Sequence, residues 1–363
     1  MMVSPPLLRI EDLRTYFYSR VKRAFVRSVD GVDLEVARGE TLGIVGESGS
    51  GKSVTFLSAM GLVTATPGVI TGRATFHDEA PRELLAGLGA HTKIVQHDGR
   101  IMSVAKNDRA WQTQAKTNLH GVPGGKISMI FQNPKAAMNP FETVGWQIAE
   151  AVRLHTPLKD AAATRERALH WLAEVRIDSP RLRYDHYPYS LSGGMCQRAM
   201  IAMALAAEPR MLIADEPTTG LDATIQARIV DLLAELKTRL GMTMVLISHD
   251  LGVIARLADR VAVMYGGRVM ESGRAIDVLD EKGDGHPYTR ALLGSMPRHA
   301  DSNGRLTAID GEVLDTINIP DGCRFRARCQ RIHEGVRARC ETMEPPLSEI
   351  APGRRVRCWL HTG

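Results

Sequence analysis

Residues 46–53, Gly-Glu-Ser-Gly-Ser-Gly-Lys-Ser, have the types and spacing to bind a polyphosphate. They fit the pattern G-x4-G-K-S, between an apolar strand and a helix start. Gly46, Gly49 and Gly51 let backbone N–H groups turn inward onto phosphate oxygens, and the helix N-terminus adds partial positive charge. Glu47, Ser48 and Ser50 complete the cradle, Lys52 reaches the β and γ phosphates, and Ser53 offers a hydroxyl to Mg²⁺. A second set is Asp215-Glu216, delivered by the apolar run Met-Leu-Ile-Ala to a sheet edge. Asp215 suits Mg²⁺ held through water, and Glu216 suits polarising the attacking water. Phosphoryl transfer asks the protein mainly to position groups and offset charge, so one carboxylate of each kind suffices. A glycine turn without ligand, or a lone Asp-Glu, would mean little. Together they indicate binding and hydrolysis of Mg-ATP. Gln132, in Ile-Phe-Gln-Asn-Pro, is a candidate for both Mg²⁺ and the attacking water. His249, in Val-Leu-Ile-Ser-His-Asp, is one for the γ-phosphate. Taken singly, each is an ordinary polar residue at a strand end.

The elements that must position these groups are legible as short apolar runs. Residues 41–45, 211–215, 243–247 and 260–265 read as strands buried on both faces. Between the second and third, Ile225, Ile229, Leu232, Leu233, Leu236 and Leu240 form one helical stripe that Gly241 stops. Strand, helix and strand in repetition mean a parallel α/β core. Residues 141–175 instead carry Trp146, Ile148, Ala149, Val152, Leu169, Leu172 and Val175 at helical spacing, as a helical insertion would. The first forty residues read as antiparallel strands and residues 298–310 as a polar linker. Residues 78–125 are polar and irregular except around Asp98-Gly99, a two-residue turn between strand-like runs that predicts an exposed hairpin.

The whole chain sets bounds on these readings. With 363 residues, two or three domains are expected, and 44% hydrophobic with 24% charged residues fits a globular protein. No apolar run approaches the roughly 18 residues that span a bilayer, and no leader is visible, so a cytoplasmic chain is expected. A net charge of +5 is modest for nucleic-acid binding, and aromatics, at 5%, are scarce for a base-stacking face.

Leu191-Ser192-Gly193-Gly194-Met195-Cys196-Gln197-Arg198 narrows the class. It resembles the signature motif of ABC ATPases. With residues 46–53, Gln132, Asp215-Glu216, Leu221-Asp222 and His249 in family order, the resemblance covers residues 7–280. It implies an α/β ABC-type ATPase, in which a RecA-like parallel sheet core carries an N-terminal antiparallel β subdomain and an inserted helical subdomain (about 135–208). The hairpin insertion spans about 78–125. The resemblance also implies that two chains sandwich two ATPs, so that Ser192, Gly193, Gly194, Gln197 and Asp222 serve nucleotide at the pair's interface. Small residues at a helix N-terminus suit a close approach to a γ-phosphate. Phe17, or Tyr16 beside it, stands where the family stacks an aromatic on adenine.

Ser-Gly-Gly-Met, Met138-Asn-Pro and His286-Pro-Tyr-Thr-Arg-Ala-Leu-Leu resemble the subgroup importing oligopeptides and dipeptides. That implies a peripheral subunit on the cytoplasmic face of the inner membrane. Its partners would be a second, related ATPase, two membrane permeases and, indirectly, an extracytoplasmic substrate-binding protein, with no nucleic acid. The alternatives are an ATPase of a non-transport ABC complex, such as the carbon–phosphorus bond-cleaving type, and an importer of nickel or a glycoside.

Residues 281–363 form a cysteine-rich extension. Cys323, Cys329, Cys340 and Cys358 are enough for a tetrahedral zinc site or a [4Fe–4S] cluster. Resemblance to the tail of the peptide-importer ATPases favours the iron–sulfur cluster over zinc, with buried free thiols third. Nine arginines lie between Cys323 and Cys358 and are expected to offset thiolate charge, some of them being simply a solvated surface, and Cys196 is expected to be an ordinary buried residue.

Overall fold

A computed structural model describes residues 5–63, 67–97, 100–296 and 309–362. Two compact units divide the chain: residues 1–37, 42–118 and 248–363 form one, and residues 38–41 and 119–247 the other.

In the first unit, alternation of apolar residues builds an antiparallel sheet. Leu8–Ser19 lies between Ala24–Val36 and Pro67–His77, with Pro81–Glu83 outermost, and Leu8, Ile10 and Leu13 are buried. The continuous apolar runs build a different sheet. Thr41–Val45 pairs in parallel with Arg260–Tyr265, which turns back antiparallel into Arg268–Arg274. Every residue of Thr41–Val45 is buried, as a strand covered on both faces requires.

The cysteine-rich extension adds to this same sheet. Arg354–Val356 pairs with Arg268–Arg274, and Ser348–Ala351 pairs with Arg354–Val356. Buried ion pairs clip it in place. Arg354 donates to the fully buried Glu271 at 2.7 Å, and Arg324 donates to Asp30 at 2.6 Å.

The first unit also holds most of the insertion. Thr92–His97 pairs antiparallel with Arg100–Lys106, so the expected hairpin forms, although its tip, Asp98-Gly99, lies outside the described residues. The helix Asp108–Leu119 was not expected in this polar stretch. Trp111 and Ala115, one turn apart, are buried, and the Lys106 ammonium sits 3.9 Å over the Trp111 ring. The polar linker falls, through residue 308, outside the described residues.

In the second unit, three parallel strands run side by side in the order Thr243–Ile247, Met211–Asp215, Ile127–Ile130. Ala223–Leu240 buries Ile229, Leu232, Leu233 and Leu236 and stops at Gly241, whose φ is +58°. Leu240, at the end of the expected stripe, is exposed. The expected helical region is present as Val144–His155, Ala161–Glu174 and Gly193–Leu205, packed around Ile148, Val152, Trp171, Leu172 and Ile201. No described helix is long and apolar enough to cross a membrane.

Asp30 reports how firmly the extension is held. Burial pushes its carboxyl up, but the charges of Arg324 and Arg27 and hydrogen bonds from Tyr16 and Arg324 hold it down at about 2. Its contribution to stability is therefore present above the unfolded value of about 3.9 and is lost as pH falls towards 2. Arg324→Ala, which leaves a buried carboxylate without its main partner, should cost about 3 kcal/mol at pH 7 by denaturant titration. The deficit should shrink near pH 3.5, where the variant's carboxyl takes up a proton; a deficit independent of pH would contradict this.

Candidate nucleotide site

The first unit supplies the phosphate loop, between Thr41–Val45 and the helix Lys52–Ala59. Its glycines are required by geometry. Gly46 (φ +148°) lies so close to the Met264 carbonyl, and Gly51 (φ +98°) to the Ser28 carbonyl, that a Cβ on either would meet that oxygen at 2.2 Å. Lys52 is buried and its ammonium donates to the Gly46 carbonyl at 2.7 Å and the Glu47 carbonyl at 3.0 Å. Ser48 and Gly49 form the exposed rim of the loop, Ser50 is buried, and Ser53 is half-buried.

Tyr16 and Phe17, the two adenine candidates, alternate across Leu8–Ser19 and separate clearly. Tyr16 is buried, and its hydroxyl donates to Asp30 at 2.6 Å. Burial and the Asp30 charge push that phenol up to about 12. Tyr16 is thus a core residue. Phe17, the next residue along the strand, is half-buried. His249 is exposed, next to Asp250, which caps the helix Leu251–Leu257 through the N–H groups of Gly252 and Val253.

Two residues that sequence reasoning did not place at the loop also hold it. Arg328 donates to both carboxylate oxygens of Glu47, at 2.6 and 3.0 Å, and the Glu47 N–H donates to the Tyr288 hydroxyl at 2.8 Å. These partners lie 281 and 241 positions away, and no local pattern signals them.

The second unit supplies the carboxylates. Asp215 ends its strand buried; Glu216 follows at φ +46°, a left-handed conformation costly for a side chain of this size. Gln132 donates to Glu216 Oε2 at 3.1 Å, and the Thr219 hydroxyl donates to the same oxygen at 2.8 Å. The structure therefore brings together the candidates Gln132 and Glu216 and adds Thr219. With one oxygen fixed in this way, the carboxylate has a defined direction in which to accept a proton from water.

Ser192 caps the helix Gly193–Leu205 by accepting from the Met195 N–H, and Ser192 and Gly193 are exposed. Gln197, in the second turn of that helix, is buried. Asp222 caps the helix Ala223–Leu240 through the Ile225 N–H at 3.0 Å. Cys196 is buried, with its thiol directed at the Pro188 carbonyl.

In the extension, Cys323, Cys329, Cys340 and Cys358 line one small cavity with Phe325, Ile332, Val336 and Leu360, and none is in a disulfide. Burial, with the other thiols nearby, pushes Cys323 up to about 12 and Cys358 up to about 11. Soft donors so placed favour a soft cationic partner over ionisation by themselves. Among the described residues no group of three or more His, Cys, Asp or Glu side chains is placed to hold a metal ion. The arginines depart from expectation: Arg324, Arg328 and Arg354 serve Asp30, Glu47 and Glu271. Arg331 pairs with Asp284 at 2.7 Å and also lies near Cys329 and Cys358.

Residues 29–219 match the family model described as ABC transporter, just over half of the chain. The chain belongs to the ABC transporter family. Residues 270–335 of this ABC chain match a second model, the C-terminal region of oligopeptide/dipeptide transporters. It is 42% identical to the probable peptide ABC transporter ATP-binding protein y4tR of Sinorhizobium fredii, over 97% of this chain and 94% of the relative. It is 40% identical to the oligopeptide transport ATP-binding protein AppD of Bacillus subtilis, over 98% and 97%. Its fold is that of an ABC ATPase. A solved dimer of the ATP-binding cassette MJ0796, in a post-hydrolysis state bound to ADP and Pi, superposes with a TM-score of 0.54 at 23% identity. The match covers 74% of this chain and 98% of that one.

Gly51→Ala should leave helix content unchanged in circular dichroism but weaken Mg-ATP binding at least tenfold, because the loop must move off the Ser28 carbonyl. Wild-type affinity in that variant would show that the loop does not hold phosphate.

Proposed function

We propose that this chain is the ATP-hydrolysing subunit of an importer of oligopeptides or dipeptides. The observation that carries the reading is similarity at about 40% identity, over nearly the full length, to proteins named for peptide transport, together with the matching C-terminal region. Residues 46–53 bind the phosphates, with Lys52 on the β and γ groups and Phe17 against the adenine. The Ser53 hydroxyl, the Gln132 amide oxygen and the Asp215 carboxylate are oxygen donors of the kind that Mg²⁺ takes. Glu216 accepts a proton from the attacking water, with Gln132 orienting it, and His249 contacts the γ-phosphate.

Ser192, Gly193 and Gly194 serve nucleotide held by a second ATPase chain, and Asp222 helps to shape that interface through its helix cap. The subunit works on the cytoplasmic face of the inner membrane with two permeases, fed indirectly by an extracytoplasmic substrate-binding protein. Exposed apolar side chains in the helical region, Phe141, Trp146, Leu154 and Tyr189 among them, are consistent with a surface that a permease covers. The four cysteines of the extension, which line one cavity, would hold a [4Fe–4S] cluster.

Glu216→Gln should keep Mg-ATP binding and lower turnover a hundredfold or more, as loss of a general base does. Turnover within threefold of wild type would remove Glu216 from this role. Anaerobically purified protein should contain about four iron and four acid-labile sulfide per chain. Stoichiometric zinc without iron would overturn the cluster.

A further inference from the structure

The phosphate loop is also anchored from outside its own motif, through Glu47. Every polar part of Glu47 is held. Its N–H goes to the Tyr288 hydroxyl and its carboxylate to Arg328, while its carbonyl accepts from the Lys52 ammonium and, at 3.2 Å, from the Ser50 N–H. Glu47 is therefore the mechanical link between the loop's lysine and the extension. Arg328 is equally committed. Its Nε donates to the Asp310 carbonyl at 3.0 Å, Nη1 to Glu47, and Nη2 to both Glu47 and the Ile309 carbonyl, and its side chain is 3% exposed. A buried planar fork with every nitrogen engaged cannot shift without breaking several bonds together.

Behind it stands an aromatic cluster. The Tyr265 and Tyr288 rings are 4.7 Å apart, and Phe325 lies 5.3 Å from each. Phe325 and Cys329, which flank the turn ending at Arg328, both line the cysteine cavity. The charge arrangement matters as well as the mechanics. A carboxylate inside a phosphate-binding loop would repel polyphosphate, and the fork neutralises it at close range.

We propose that Arg328 is a positioning residue for nucleotide binding, through which the cysteine-rich extension sets the geometry and charge of the phosphate loop. The proposal rests on the reading that residues 46–53 bind Mg-ATP. The extension then acts on ATP affinity rather than serving only as an added edge of the sheet. The cysteine cage communicates with the loop over one peptide bond, from Cys329 to Arg328.

The test is Mg-ATP binding to the full-length chain by titration calorimetry, with thermal melting to verify folding and steady-state ATPase to separate KM from kcat. Arg328→Ala should raise Kd and KM about tenfold, with a much smaller change in kcat. Arg328→Lys, which keeps the charge but loses the fork, should fall between wild type and Arg328→Ala. Combining Glu47→Gln with Arg328→Ala should weaken binding no further than Arg328→Ala alone, because the two residues act as one unit. Cys329→Ser should raise Kd in the wild-type background and not in Arg328→Ala. Unchanged Kd in Arg328→Ala, strictly additive losses, or an equal Cys329→Ser effect in both backgrounds would overturn the proposal. If the wild-type chain itself fails to bind Mg-ATP, the reading of the loop fails first and the proposal falls with it.

Discussion

A loop that offers its amides to phosphate withholds them from the rest of the protein, so the surroundings must hold it in shape. Here the constraint is the contact of bare glycine backbone with two carbonyls, Gly46 against Met264 and Gly51 against Ser28, where no Cβ fits. Those contacts fix the start of Lys52–Ala59, and with it the partial positive charge at the helix N-terminus. Lys52 is buried, and its ammonium is held by the Gly46 and Glu47 carbonyls. Pre-organisation of this kind reduces the ordering cost of binding.

Charge is handled by the same logic of close pairing. Asp30, Glu47 and Glu271 sit where an isolated carboxylate would be costly, and each is met by an arginine from the cysteine-rich extension. These pairs contribute little net stability relative to apolar packing, but they fix where the extension attaches, because a misplaced carboxylate loses its partner. Glu216 is different. Its left-handed backbone is an expense the local sequence does not require, and two donors hold its carboxylate in one orientation.

The nucleotide chemistry and the core strands were legible because both are local. All four apolar runs, at 41–45, 211–215, 243–247 and 260–265, became strands with those bounds, as four to six apolar residues between turns must when covered on both faces. What stayed hidden depends on distant partners. Nothing in the sequence around Tyr16 and Phe17 says which faces inward; the hydroxyl's partner, Asp30, decides it. Ser348–Ala351 and Arg354–Val356 are too short and polar to read as strands, and exist because the edge of Arg268–Arg274 has ladder groups to offer. The arginines of the extension looked like counter-ions for the cysteines only because their carboxylates lie far away in sequence. Asp108–Leu119 could have been found: Trp111 and Ala115 at a spacing of four, behind an acidic first turn, are a weak helical signature in an otherwise polar stretch.

We propose that this ATPase does its work as part of a peptide-importing assembly. It is tested most directly by reconstituting the chain with its partner ATPase and permeases in proteoliposomes. ATP hydrolysis is then measured as peptide-loaded substrate-binding protein is added. Hydrolysis should be low without the loaded receptor and rise several-fold with it, and peptide should accumulate in the compartment that holds the ATP. Hydrolysis indifferent to the loaded receptor, with no movement of peptide, would contradict it.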